Sequence, residues 1–250
     1  MMKISCPSKT FLCGEYAVID SGPAILLATP PYFVLDHSNF IDPWQGAGGF
    51  GASGARFVLA SKKMGYSDPW KVWEKYRRSG FYGSGADVVA QWMGGITFFH
   101  AEKKIIENVI WPFQNLLIAL IHTGYKIQTH KHLQKLGRDK AMPCLYNLKN
   151  IVLETYQALK EPDQESFLNN IHEYAAELNK LNLVCDHTGV ILSKMKNCPS
   201  ILASKGCGAL GADVILAVID KTRKDDFFVW ADQEKLKLIF CDNQFAKGVS

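Results

Sequence analysis

Three glycine-bearing segments of the 250-residue chain lie where regular structure is expected to begin, and each carries groups suited to phosphate or proton chemistry. The first, Gly48-Gly49-Phe50-Gly51-Ala52-Ser53-Gly54, runs into a helical pattern. Backbone N–H groups at a helix N-terminus attract anions, glycines let that backbone approach a phosphate closely, and the Ser53 hydroxyl suits a phosphate oxygen or a phosphate-bound magnesium. Taken alone, the same residues also read as a flexible loop capped by Ser53. The second segment, Gly83-Ser84-Gly85-Ala86-Asp87, sets a carboxylate in the first turn of the next helix. Asp87 there is either a helix-start residue favoured by the macrodipole or a base beside a phosphoryl acceptor. The third, Lys205-Gly206-Cys207-Gly208-Ala209-Leu210-Gly211-Ala212-Asp213, joins two expected strands and exceeds a minimal hairpin turn. By itself it is a loop that needs positive φ values.

The elements that must hold these segments follow from hydrophobic periodicity. Residues 2–6, 10–19 and 24–35 carry the apolar, β-branched and aromatic pattern of strands, with Ser21-Gly22-Pro23 between the last two. Helices are expected over 54–64, ending at Gly65, and over 86–93, ending at Gly94-Gly95, with a strand at 96–100. Trp70, Trp73 and Tyr76 recur at helical spacing and read as packing. Residues 107–122 form two strand-length pieces separated by Pro112. Helical spacing governs 129–136, 144–160, 164–183 and 188–196, and strands are expected at 200–204, 213–219, 226–230 and 237–241. This order reads as α+β, with a domain over 1–108 and a second over 109–250.

Composition narrows the partners. Twenty-eight basic and 24 acidic residues give a net charge of +4, and the basic residues are scattered, which excludes the stripe of a nucleic-acid binder and suits small anionic ligands. Seven cysteines without a Cys-x-x-Cys pair suggest neither a disulfide framework nor a zinc site, but reduced thiols in a cytoplasmic protein. The first residues lack a signal peptide's apolar core, and no apolar run approaches a membrane span. Cys185-Asp186-His187 reads as a helix–helix connection rather than a triad, and His130 and His132 as solvent-facing.

Order and surroundings turn these segments into one pattern. Pro7-Ser8-Lys9-Thr10-Phe11-Leu12-Cys13-Gly14-Glu15-Tyr16-Ala17-Val18, continued by Pro23-Ala24-Ile25, resembles the first motif of the GHMP kinases, in which Pro-Gly-Lys leads into Gly-Glu-His or Gly-Glu-Tyr. Gly49-Phe50-Gly51-Ala52-Ser53-Gly54-Ala55 is similar to the family's Gly-Leu-Gly-Ser-Ser-Ala-Ala, and Gly208-Ala209-Leu210-Gly211-Ala212-Asp213 to its Gly-Ala-Gly-Gly-Gly-Asp. Gly83-Ser84-Gly85-Ala86-Asp87-Val88 resembles the Ser-Gly-x-Asp segment of mevalonate and phosphomevalonate kinases, and Thr123 to Thr129 keeps the Thr-Gly-x-x-x-x-Thr spacing of the latter. The chain departs from the pattern at Gln45, where the family has a leading proline, at Ala52, which replaces a serine, and at Arg56. The gap between the first two motifs is short. No acidic residue stands at the distance of the family's magnesium-binding glutamate, Glu74 lying slightly further from Asp87.

The resemblance implies a two-domain fold: an N-terminal α+β domain and a C-terminal ferredoxin-like α/β sandwich, with the active site between them. It implies transfer of a phosphoryl group from ATP, with magnesium, to a small acidic acceptor of the mevalonate pathway, most plausibly phosphomevalonate. Mevalonate kinase, diphosphomevalonate decarboxylase and a shortened non-catalytic binding protein are the alternatives. On this pattern Gly48, Gly49, Gly51, Ala52, Ser53 and Gly54 hold the nucleotide's phosphates, with Ser53 on the metal. Asp87 and Lys9 carry the chemistry, and Lys9, Glu15, Tyr16, Ser84, Gly85, Gly208, Ala209 and Gly211 line the acceptor. A homodimer is compatible with the resemblance; nucleic-acid and membrane partners are not expected.

Overall fold

The computed structural model describes residues 3–80, 83–125 and 142–250. The expected helix at 129–136, the second threonine of the Thr-Gly spacing, Thr129, and His130 and His132 lie outside them. The chain divides into two compact units, one of Met1–Ile110 with Gln244–Ser250 and one of Trp111–Asn243. The division falls two residues beyond the expected boundary, and the last seven residues pack with the first unit.

The first unit is built on an antiparallel sheet of strands β1 (Lys3–Cys13), β2 (Pro23–Asp36), β3 (Asn39–Ile41), β4 (Ile96–His100) and β5 (Ile105–Val109), in the order β1-β2-β4-β5 with β3 on β2. Where the sequence pattern suggests two strands, 2–6 and 10–19, β1 is a single strand with a register shift between Pro7 and Ser8. Proline has no N–H to give a ladder, and an edge strand with a shift at that point tolerates it. The chain then leaves the sheet, and Ala17–Asp20 form a short 3-10 helix rather than strand. Helices α1 (Ala52–Lys63), α2 (Pro69–Arg78) and α3 (Ala86–Met93) follow. Val89 and Ala90 of α3 pack with Ala24, Leu26 and Phe99 of the sheet, and Trp70 and Trp73 of α2 cover that cluster. The final segment closes the unit: Ala246 and Ala28 are joined by a backbone bond of 2.9 Å, Gly95 donates to Ala246 at 2.7 Å, and Ser5 and Ser250 exchange two bonds of 3.0 Å.

The second unit holds strands β6 (Leu116–His122), β7 (Ile201–Cys207), β8 (Val214–Asp220) and β9 (Lys237–Asp242) in the antiparallel order β7-β8-β6-β9. Helices α4 (Met142–Lys160), α5 (Gln164–Lys180) and α6 (Asp186–Met195) connect β6 to β7, and α7 (Lys224–Gln233) connects β8 to β9. This strand order and the βαββαβ course are those of a ferredoxin-like sandwich. Leu117, Ala119 and Ile121 of β6 and Ile215, Ala217 and Ile219 of β8 meet Leu192 and Met195 of α6 and Phe227 and Ala231 of α7 on one face. Leu116, Ile118 and Leu120, pointing the other way, are equally buried, so β6 reads as an unbroken apolar run. The expected strand at 226–230 is the interior of α7. Its Phe-Phe-Val-Trp run suits a strand, but Phe227 and Ala231, four apart, bury one helical stripe, and Asp225 and Asp226 favour the helix start.

Candidate functional site

The glycine loop of the first unit is held by a chain of specific contacts that begins in β1. The Lys9 N–H donates to the Phe50 carbonyl at 3.1 Å, which ties the strand to the loop just before α1. Phe50 is buried and stacks on Trp44 with ring centroids 3.8 Å apart. The Trp44 indole N–H donates to Ser8 Oγ at 2.7 Å, and that hydroxyl donates to the Pro31 carbonyl at 2.6 Å. Upstream, the Asp42 carboxylate accepts from the N–H groups of Trp44 and Gly46 at 2.9 and 3.1 Å, folding the approach to the loop into a turn. The residue that caps α1 is Gly51, in the left-handed region at φ +86°, and no side chain caps the helix. Ser53 is exposed in the first turn rather than acting as the cap. The first-turn N–H groups of α1, which have no intrahelical partner, are therefore left for an external acceptor.

Asp87 reaches the same place from α3. Gly85 caps that helix at φ +77°, while Ser84 Oγ accepts from the Ala86 N–H at 3.3 Å. The Trp73 indole donates to the Ser84 carbonyl at 2.8 Å and Arg77 donates to the Gly83 carbonyl at 2.6 Å, so α2 fixes the turn that aims Asp87. A Cβ on Gly54 would sit 2.8 Å from Asp87 Oδ2 and 2.7 Å from Gln91 Oε1; a Cβ on Gly51 would sit 3.0 Å from Gln91 Nε2 and from Lys9 Cγ and Cε. Lys9, Gly51, Gly54 and Asp87, far apart in sequence, are thus brought together around Gln91. A side chain at Gly54 would force Gln91 or Asp87 to shift, and one at Gly51 would crowd Gln91 and Lys9. Among the described residues Lys9 and Asp87 do not form an ion pair; the Lys9 ammonium lies 5.0 Å from the Phe11 ring centroid.

The Asp87 charge is felt by its neighbours. Burial, and then the Asp87 carboxylate, push the Tyr76 phenol up to about 12. Burial, with the same carboxylate adding to it, holds the Cys6 thiol well above its ordinary range. Both groups are therefore neutral around Asp87 at neutral pH.

The remaining expected site residues are placed as follows. Gly48 and Gly49 lie in the loop before Gly51, half-buried, and Ala52 is the first residue of α1. Glu15 is half-buried in the turn after β1, and the Tyr16 ring is buried at the start of the 3-10 helix. Glu74 is on α2 with its carboxylate 3.4 Å from Arg78 on an exposed face. In the second unit, Gly208, Ala209 and Gly211 form the tight turn between β7 and β8. That turn is anchored by the Cys185 N–H to Leu210 at 2.9 Å and by Thr188 Oγ1 to Gly211 at 3.0 Å. Thr123 joins it as well, its hydroxyl donating to the Ala212 carbonyl and its N–H to Asp213 at 3.2 Å. Cys185, Asp186 and His187 make no triad: Cys185 Sγ lies 3.3 Å from Thr188 Oγ1, and His187 Nε2 bonds the Thr123 carbonyl at 3.1 Å.

Two residues escape the sequence reading. Gln91 is fully buried at the centre of the first unit's cluster; its one signal is its position four residues after Asp87, on the same helix face. Lys205, noted only as the flank of the third segment, is fully buried beneath the turn. It donates to the Gly206 carbonyl and to Cys207 Sγ, both at 3.2 Å, with its ammonium 5.6 Å from the Tyr174 ring.

The first unit fits a nucleotide's phosphates, with an uncapped helix start, a lysine on the adjacent strand and a cradle that a Cβ would fill. For magnesium the donor set is sparse: among the described residues no group of three His, Cys, Asp or Glu side chains could hold a metal.

No protein-family model and no curated protein matches the chain. Solved structures do. The Streptococcus pneumoniae phosphomevalonate kinase superposes with a TM-score of 0.80 at 15% identity, over 97% of this chain and 99% of that one. The same enzyme in complex with phosphomevalonate and AMPPNP superposes with a TM-score of 0.77. The L. major mevalonate kinase in complex with R-mevalonate gives 0.73 at 15% identity, over 100% and 95% of the two chains. The Lactococcus lactis galactokinase complexed with galactose gives 0.70 at 10% identity, over 99% and 94%. The chain has the GHMP kinase fold.

Proposed function

We propose that the protein transfers the γ-phosphoryl group of ATP to phosphomevalonate, giving diphosphomevalonate. The observation that carries this reading is the meeting of the uncapped start of α1 with Asp87 and Lys9 around Gly51 and Gly54. Phosphoryl transfer needs little covalent chemistry from the protein, so positioning and charge neutralisation suffice, and both are supplied here. The N–H groups from Gly48 to Gly54 would bind the phosphates, and the Ser53 hydroxyl would offer an oxygen to the magnesium that accompanies them. When bound, the metal neutralises charge on the transferring group. Lys9 adds a fixed cation beside it. Asp87 orients the acceptor's attacking oxygen and takes a proton where the acceptor carries one. Ser84, Gly85, Glu15 and Tyr16 contribute the acceptor side.

The fold is shared with kinases of several small acceptors, so the acceptor is the finer part of the reading. The phosphomevalonate and AMPPNP bound to the S. pneumoniae enzyme, whose fold this chain matches, support it, as does the Gly-Glu-Tyr of the first motif. ATP consumption by the purified protein with phosphomevalonate, mevalonate and diphosphomevalonate, followed by product analysis, tests it. Turnover is expected with phosphomevalonate; turnover with another acceptor alone, or with none, overturns it.

A further inference from the structure

Gln91 occupies an unusual position. It is fully buried on α3, one turn after Asp87, and its Nε2 donates to the Pro7 carbonyl at 2.9 Å and to the Gly51 carbonyl at 3.2 Å. Those two carbonyls fix the orientation of the amide, because the opposite rotamer would set oxygen against oxygen. Its Oε1 is then buried with no hydrogen-bond partner among the described residues. A buried acceptor without a donor is unfavourable, and replacing the whole amide by an apolar side chain of similar shape can be neutral. Oε1 is aimed at Gly54, where it and Asp87 Oδ2 flank the point that a Cβ would occupy, at 2.7 and 2.8 Å. Among the described residues no group donates a hydrogen bond to the Asp87 carboxylate. As a carboxylate, Asp87 has nothing to offer Oε1; as a carboxylic acid it has one O–H.

We propose that Gln91 is a positioning residue for Asp87, its Oε1 accepting a hydrogen bond from the carboxyl once Asp87 has taken a proton. The inference rests on Asp87 being the group that takes the acceptor's proton. Where the acceptor's attacking oxygen carries a proton, that O–H bond breaks, an O–H bond on Asp87 forms, and the proton so held is shared with Oε1 without leaving Asp87. The other arm of the same amide holds the Gly51 carbonyl, so the loop at the start of α1 and the acid form of Asp87 share one side chain. The other titratable groups facing Asp87 are Cys6 from β1 and Tyr76 from α2, both neutral at working pH, with Arg77 beside Tyr76. Lys9 on β1 lies on the Gly51 side of the amide. Neither Cys6 nor Tyr76 gains or loses a charge at acid pH.

The test reads the proton directly, by carbon-13 NMR of side-chain carbonyls during an acid titration of the nucleotide-free protein. In the wild type the Gln91 side-chain carbonyl is expected to shift with the same midpoint as the Asp87 carboxyl; a Gln91 signal that stays flat while Asp87 titrates overturns the proposal. In Gln91→Met the change in the Asp87 carboxyl signal between its two protonation states is expected to differ in size from wild type, because the acid form has lost its acceptor. An Asp87 response identical to that of the wild type overturns the proposal. The wild-type arm requires no folded variant, and neither arm requires turnover. Coupled titration in a protein that turns over no acceptor would therefore count against the kinase reading alone.

Discussion

Asp87 is the residue on which the chemical reading turns, and its surroundings make the expectation specific. Asp87→Asn keeps the shape of the side chain and removes its basicity, so turnover should fall roughly 10²–10⁴-fold while the melting temperature and ATP binding change little. A variant that melts early but keeps full activity per folded molecule would make Asp87 a helix-start residue and nothing more. The phenol of Tyr76 offers a check on the same charge. Its value is raised in the folded protein from 10.0 to about 12 by burial and by Asp87. Its contribution to stability is therefore whole below pH 10 and is lost as pH rises towards 12. Urea melts between pH 9 and 11.5 should show the wild type losing stability with pH more steeply than Tyr76→Phe; parallel curves would contradict this. Lys9, Gly51, Gly54 and Asp87 were legible in the sequence because their segments occur in a recognisable order. Gln91 was not, because a lone glutamine in an apolar helix carries no local sign of what its amide will meet. Glu74, slightly further from Asp87 than the family's magnesium-binding glutamate, stands on α2 with its carboxylate 3.4 Å from Arg78.

At the scale of elements, α1 and α3 approach closely enough that Gly54 faces Asp87 and Gln91 with no space for a methyl group. Alanine in place of glycine inside a helix ordinarily gains about 1 kcal/mol. Gly54→Ala should reverse that sign, costing about 1–3 kcal/mol as the neighbours are forced apart, and should lower turnover. Gly189, inside α6 with open space around it, provides the control: Gly189→Ala should raise stability by up to about 1 kcal/mol. Thermal or urea denaturation of the pair decides the matter, and equal effects at both sites would contradict the close approach. The helices at 52–63 and 86–93 could be read from the sequence because glycine turns bound them. The helix at 224–233 could not, since Phe227-Phe228-Val229-Trp230 is a strand-like run whose helical stripe shows only once Phe227 and Ala231 are seen packing on the sheet. Likewise β1 looks interrupted at Pro7 in sequence, but only its pairing with β2 shows that a register shift absorbs the proline.

Across the whole molecule, the sequence pattern showed the α+β class, whereas the ferredoxin-like second unit was legible only through the family resemblance, because the helix that completes its βαββαβ course read as a strand. It did not show that Gln244–Ser250 belongs with the first unit, because seven residues with no periodicity reveal their partner strands only in space. Those residues bridge β1, β2 and the start of β4 through backbone bonds, with Gly94 paired to Lys247. Deleting 244–250 should therefore lower the melting temperature and increase hydrogen exchange in 3–36 and 86–100, with the second unit's sheet less affected; protection unchanged in 3–36 would contradict the assignment. Phosphorus NMR of the purified protein with ATP, magnesium and phosphomevalonate decides whether it is, as proposed, a phosphomevalonate kinase. ADP and a new diphosphate signal from the acceptor are expected to appear together in equal amounts. ATP that remains intact in the presence of phosphomevalonate, or is consumed without any diphosphate forming on the acceptor, would contradict it.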